Sequence, residues 1–243
     1  MKILSNHKQI VLHSGDVHVW HAFFRGNSGS NSSMLTAEEL LRAKRLVRPA
    51  DQEKFIFSRI VLRQVLSHYL SIPPEKIEFG VGEHGKPFVQ DSDVQFNLSH
   101  SGDCVLIGVA QNRSIGVDVE FVRHKQDYMA LAKRFFSQAE FLAIQASEKP
   151  IEAFYRCWTR KEAFLKATGM GLSFGLSNFE VGVSVLSAQQ SALLNVRNKA
   201  YDASAWFVRS ISLGEGADSY YAAIAMPQFE HKVFNYDFFK YFC

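Results

Sequence analysis

Hydrophobic and polar positions follow two periods along this chain, near 3.6 and near 2, and the places where one gives way to the other divide it into elements. Residues 18–24 read as a strand. Thr36, three residues before Glu39, makes a capping box that opens a helix running to about Val47, and Pro49 ends it. A second helix is predicted over 52–69, with Phe55, Leu62, Val65, Leu66 and Tyr69 as its core candidates, and Pro73-Pro74 stops it. Short strands at 77–81 and 87–89 flank the turn Gly82-Glu83-His84-Gly85. Strands at 103–110 and 115–121 are expected to pair as a hairpin through Gln111-Asn112-Arg113-Ser114. Ser137 and Glu140 form another capping box at the start of a short helix. A long helix follows over 151–168, with Gly169 and Gly171 as stop signals. Further strands are expected at 179–185, 205–211 and 220–226. Helices mixed with several hairpins favour an α+β fold over a doubly wound parallel sheet. The last stretch, 231–243, is rich in Phe and Tyr, and is either docked on the body or a contact surface.

Composition narrows the class. A chain of 243 residues, 47% hydrophobic with 21 Phe, can fill one large core or two small ones. No long uncharged apolar run or secretory leader is visible, so neither a membrane span nor export is expected, and the cytoplasm is the expected compartment. Cys104, Cys157 and Cys243 are scattered and odd in number, the pattern of reduced thiols rather than of zinc ligands. The net charge of +3 is mild, but Arg42, Lys44, Arg45, Arg48, Lys54, Arg59 and Arg63 crowd one stretch. No recognition-helix, zinc-spacing or RNP-type pattern accompanies them, so nucleic acid is not the expected partner. A solvated helix face and a phosphate-binding face both fit.

Two short segments carry the candidate chemistry. In Ile115–Phe121, Ile115, Val117, Val119 and Phe121 fall on one strand face; Gly116, Asp118 and Glu120 fall on the other. The two carboxylates then point the same way with Cα atoms about 6.6 Å apart. A solvated acidic face would look the same, but so would a pair of oxygen ligands for Mg²⁺, which fills its remaining positions with water and phosphate oxygens. In the 151–168 helix, Trp158, Glu162 and Lys166 occupy successive turns of one side, together with Phe154. A carboxylate on an aromatic stripe is costly unless a cation compensates it; an i,i+4 surface ion pair is the plain alternative.

With these pieces in place, the chain resembles the Sfp-type (surfactin-type) 4′-phosphopantetheinyl transferases. Gly85-Lys86-Pro87, Phe96-Asn97-Leu98-Ser99-His100-Ser101, Gly116-Val117-Asp118-Val119-Glu120, Arg134-Phe135-Phe136-Ser137 and Trp158-Thr159-Arg160-Lys161-Glu162-Ala163 occur in the order and approximate spacing of that family, between about Leu40 and Met226. The resemblance implies a pseudo-dimer of two similar α+β halves, here 1–112 and 113–243, with the C-terminal tail assigned to the second. It implies transfer of the 4′-phosphopantetheine arm of coenzyme A to a serine of an apo acyl or peptidyl carrier protein, with release of 3′,5′-adenosine bisphosphate, by a monomer. The metal ligands implied for Mg²⁺ are Asp118, Glu120 and Glu162. The coenzyme contacts implied are Lys54, Lys86, Ser99, His100 and Lys166, and Lys54 stands where the family often has arginine. Glu162, Lys166 and His100 are the implied catalytic residues; either Glu162 or a water would take the proton from the acceptor serine. A metal-dependent diphosphate hydrolase and a non-catalytic binder of coenzyme A or carrier protein are the alternative readings.

Overall fold

Two sheets pack face to face, each backed on its outer side by a long helix. The computed structural model describes residues 10–26, 32–82, 85–185, 190–197, 201–228 and 231–242. The predicted turn at Glu83-His84 and Cys243 lie outside the described residues. The first half contributes β1 (Asp16–Phe23), α1 (Ala37–Lys44), α2 (Pro49–Leu70), the hairpin of β2 (Phe79–Val81) and β3 (Pro87–Val89), β4 (Val94–Ser101) and β5 (Cys104–Gln111). The second half repeats the mixture with β6 (Gly116–Phe121), α3 (Tyr128–Phe135), α4 (Gln138–Gln145), α5 (Pro150–Thr168), the hairpin of β7 (Phe179–Val181) and β8 (Leu193–Val196), β9 (Trp206–Ile211) and β10 (Tyr220–Pro227). The chain closes with β11 (Lys232–Asp237) and α6 (Phe238–Phe242). This is an α+β pseudo-dimer.

Sheet order explains the layering. The first sheet runs β11-β1-β5-β4 and the second β6-β10-β9. Alternation along the strands sends Val17, Val19 and Leu106 of the first sheet against Val117, Val119, Ile224 and Met226 of the second, and these form the core between the halves. The opposite face of the first sheet, with Trp20, Phe96 and Ile107, is covered by Val61, Leu62, Val65 and Leu66 of α2. The outer face of the second, with Ala223 and Ala225, is covered by Phe154, Ala163 and Phe164 of α5. Each buried Val, Leu, Ile, Phe or Met among them contributes about 1.5–3 kcal/mol of apolar burial.

Gly116 sets how closely α5 sits. A Cβ at this position would overlap the Ala163 carbonyl oxygen and the Ala167 backbone, so only glycine lets the helix lie directly on β6. The helix is also pinned from behind. The Lys161 ammonium, fully buried, donates to Glu140 Oε1 at 2.8 Å and to the Leu176 and Phe179 carbonyls at 2.7 and 2.5 Å. Glu140 meanwhile caps α4 through the Ser137 amide and accepts the Val181 amide.

Several expectations hold and three change. Both capping boxes form, Thr36–Glu39 and Ser137–Glu140, and α5 ends on a left-handed Gly169. Pro49 does not close the first helix; it occupies the first turn of α2, where its missing N–H is no loss. The expected hairpin of the 103–110 and 115–121 strands does not form. β5 pairs with β4 and β1, while β6 pairs with β10, because the chain crosses at 112–115 from one sheet to the other. The tail, grouped with the second half on sequence, returns to the first: β11 pairs in parallel with β1, and Tyr236 stacks on Trp20 at 4.7 Å.

Candidate functional site

β6 is an edge strand of its sheet, and β4, the edge of the other sheet, lies alongside it. The polar side chains of both meet in the seam. Ser99 Oγ donates to Asp118 Oδ1 at 2.9 Å and Ser101 Oγ donates to Glu120 Oε2 at 2.7 Å. From the helix side, Lys166 Nζ reaches Asp118 Oδ1 at 2.6 Å and Ser99 Oγ at 2.9 Å. The four expected residues Ser99, Asp118, Glu120 and Lys166 therefore converge, and Glu162, one turn before Lys166 on α5, is close enough for the charges of Asp118 and Glu120 to act on it.

The electrostatics of this seam are strained. Burial raises the Asp118 carboxyl above its ordinary range, opposed by the Lys166 ammonium and the Ser99 hydroxyl. Burial likewise raises Glu120, and the neighbouring Asp118 charge adds to it. Glu162 is pushed up to about 7, first by burial and then by Asp118 and Glu120. Three carboxyls that disfavour one another's ionisation share one lysine. Asp118 Oδ2 is buried with no hydrogen-bond partner, an acceptor left open in a low-dielectric setting. Among the described residues, no three His, Cys, Asp or Glu side chains form a ready cation cage by themselves.

The remaining expected residues sit around this seam with other partners. His100 is on the opposite face of β4 from Ser99 and Ser101 and is exposed at the surface; the surrounding protein and the Lys166 charge hold its pKa below the ordinary histidine value. Lys86 donates to the Ile115 carbonyl at 2.9 Å, at the entrance to β6, and burial lowers its pKa to about 8. Lys54 pairs with Asp103 at 2.7 Å, in the turn after Ser101. The basic stretch divides: Arg59 and Arg63 brace Glu39 at 2.6 and 2.9 Å inside the first half, while Arg42, Lys44 and Arg45 are exposed.

Asn97 and Ser101 are the residues that sequence reasoning did not single out. The polar alternation Asn97, Ser99, Ser101 is their signal: it predicts one polar strand face, and the structure turns that face onto β6. No helix among the described residues is long and apolar enough to cross a membrane.

Likeness to known proteins covers both halves. Residues 26–112 match the N-terminal part of 4′-phosphopantetheinyl transferase and residues 114–225 match the 4′-phosphopantetheinyl transferase superfamily. A putative 4′-phosphopantetheinyl transferase of Synechocystis is 36% identical over 79% of this chain and 79% of its own. The 4′-phosphopantetheinyl transferase HetI of Nostoc is 36% identical over 68% of this chain and 73% of its own. The 4′-phosphopantetheinyl transferase Sfp of Bacillus subtilis is 33% identical over 61% of this chain and 66% of its own. The carboxylate seam thus sits in a chain that belongs to the Sfp-type 4′-phosphopantetheinyl transferases.

Proposed function

We propose that this enzyme takes the 4′-phosphopantetheine group from coenzyme A, attaches it to a serine of an apo acyl or peptidyl carrier protein and releases 3′,5′-adenosine bisphosphate, with Mg²⁺ required. The observation that carries this reading is the seam itself: the buried Asp118 with the half-buried Glu120 and Glu162, three mutually opposed carboxyls beside one lysine, at the junction of the two halves.

The donor set fits a hard divalent cation. Asp118 offers a buried oxygen with no partner, and charge on Glu120 and Glu162 becomes favourable once a cation stands beside them. Asp118, Glu120 and Glu162 would hold Mg²⁺, with the phosphates and water as the other ligands. Bound there, Mg²⁺ would neutralise charge on the pyrophosphate of the donor.

The chain's own residues divide the rest of the work. Lys166 already donates into the seam and is one helical turn from Glu162, so it can neutralise the oxygen that leaves as the phosphodiester forms. Glu162, or a water beside it, would accept the proton of the attacking serine hydroxyl. His100, neutral at neutral pH, would serve as a hydrogen-bonding group at the rim rather than as a charge. Lys54 and Lys86 would exchange Asp103 and the Ile115 carbonyl for phosphate oxygens. One chain supplies both strands of the seam, so the active unit would be a monomer. The exposed Arg42, Lys44 and Arg45 suit an acidic carrier.

The test is mass spectrometry of a panel of apo carrier proteins incubated with coenzyme A, with Mg²⁺ or with EDTA. Gain of the phosphopantetheine mass on a serine, only with Mg²⁺, is expected. Breakdown of coenzyme A at the same rate without any carrier would instead make the protein a hydrolase.

A further inference from the structure

β6 has β10 on one side only, so its outward amides at Val117, Val119 and Phe121 lack a strand partner. Side chains of β4 supply one. The Val117 amide donates to Asn97 Oδ1 at 2.8 Å, Val119 to Ser99 Oγ at 3.4 Å and Phe121 to Ser101 Oγ at 3.1 Å. The three rungs advance by two residues on both strands in constant register, as a paired strand would, but with side-chain oxygens in place of carbonyls. Unpaired amides at this depth would each be costly.

Two of the rungs continue. A serine hydroxyl that accepts an amide still has one hydrogen to give. Ser99 gives it to Asp118, and Ser101 gives it to Glu120, in each case the residue just before the amide. The Asn97 rung would point onto Gly116, which has no side chain and is covered by α5. Ser99 is also held by Lys166, whereas Ser101, itself buried, has Glu120 as the acceptor of its hydrogen.

From this geometry we infer that Ser101 is a positioning residue: anchored by the Phe121 amide, it commits Glu120 Oε2 and so fixes the rotamer in which the other carboxylate oxygen is offered to a cation. The inference rests on Glu120 being a metal ligand, as proposed above. Loss of a hydrogen bond that orients a metal-binding group commonly weakens the metal about 10–100-fold.

The experiment compares wild type, Ser101→Ala, Ser101→Thr and Asn97→Ala. Mn²⁺ affinity is read from the free-ion electron paramagnetic resonance signal, thermal stability is measured in EDTA, and kcat and KM are measured with Mg²⁺. Both alanine variants lose a rung, so both should melt earlier. Only Ser101→Ala should bind Mn²⁺ about tenfold or more weaker, with the loss in kcat rather than in the KM for coenzyme A. Ser101→Thr, which keeps the hydroxyl, should recover most of the affinity. Unchanged Mn²⁺ binding in Ser101→Ala overturns the inference, and so does an equal loss in Asn97→Ala, which would assign the effect to strand stability. A wild-type protein that binds no Mn²⁺ yet still transfers the group removes the metal reading itself, and the role of Ser101 with it.

Discussion

Replacing Glu162 by Gln should make the metal-free protein more stable at pH 8 while abolishing transfer. The Glu162 carboxyl moves from 4.5 to about 7 in the folded chain, chiefly through burial and then through Asp118 and Glu120. Below the unfolded value it is protonated in both states and costs nothing. As pH rises from 4.5 to 7 the unfolded chain releases this proton and the folded chain keeps it, so folding stability falls through that window and levels off above it. Each pKa unit corresponds to about 1.4 kcal/mol, so the full cost is about 3 kcal/mol. Glu162 is only half-buried, and solvent screening reduces the cost to about 1–2 kcal/mol. A glutamine carries no such penalty. In EDTA, Glu162→Gln should therefore match wild type near pH 4 and exceed it by about 1–2 kcal/mol at pH 8, a gain of about 2–8 °C in Tm for a domain of this size. Urea and thermal unfolding at the two pH values give the comparison directly. A variant that gains equally at both pH values, or is less stable than wild type at pH 8, would show that Glu162 is not held protonated by its surroundings. Mg²⁺ should narrow the difference at pH 8 by stabilising wild type alone.

Three other perturbations follow from the same contacts. Lys166→Ala removes the ammonium from Asp118 and should lower kcat about 10²–10⁴-fold, while circular dichroism stays unchanged. Gly116→Ala drives a methyl group into the Ala163 carbonyl and should cost about 1–3 kcal/mol in urea unfolding, with loss of activity exceeding loss of folded protein as α5 is displaced. Lys161→Met leaves Glu140 buried without its cation and should cost about 3–5 kcal/mol, visible as a lower urea midpoint and poor yield of folded protein; a Lys161→Met that unfolds like wild type would refute the role given to that pair.

Periodicity reached the elements whose signal is local. Thr36 and Ser137 announce their helices because a cap is satisfied within four residues, and α5 is bounded by its own Pro150 and Gly169. The alternation in Ile115–Phe121 placed Asp118 and Glu120 on one face because side-chain direction follows from the backbone alone. What could not be read is which strand lies beside which. The 111–114 stretch has the composition of a hairpin turn, yet it carries the chain between sheets. That choice is made by cores far apart in sequence, such as Val17 and Val19 against Val117 and Ile224. The same limit hid Ser101. Its polarity is visible, but its task depends on β6 arriving with an unpaired edge. Lys161 and Glu162 are neighbours in one motif, and only their packing tells the buried anchor from the titrating carboxyl.

The return of β11 to β1 has a consequence for synthesis. The first half is translated first but lacks an edge strand, and most of the aromatic cover of Trp20, until Tyr236 and the residues of α6 have left the ribosome. The second half has all its described strands once Pro227 has emerged. The half made first is thus completed last, and a nascent chain halted before Lys232 presents the open β1 edge to other chains.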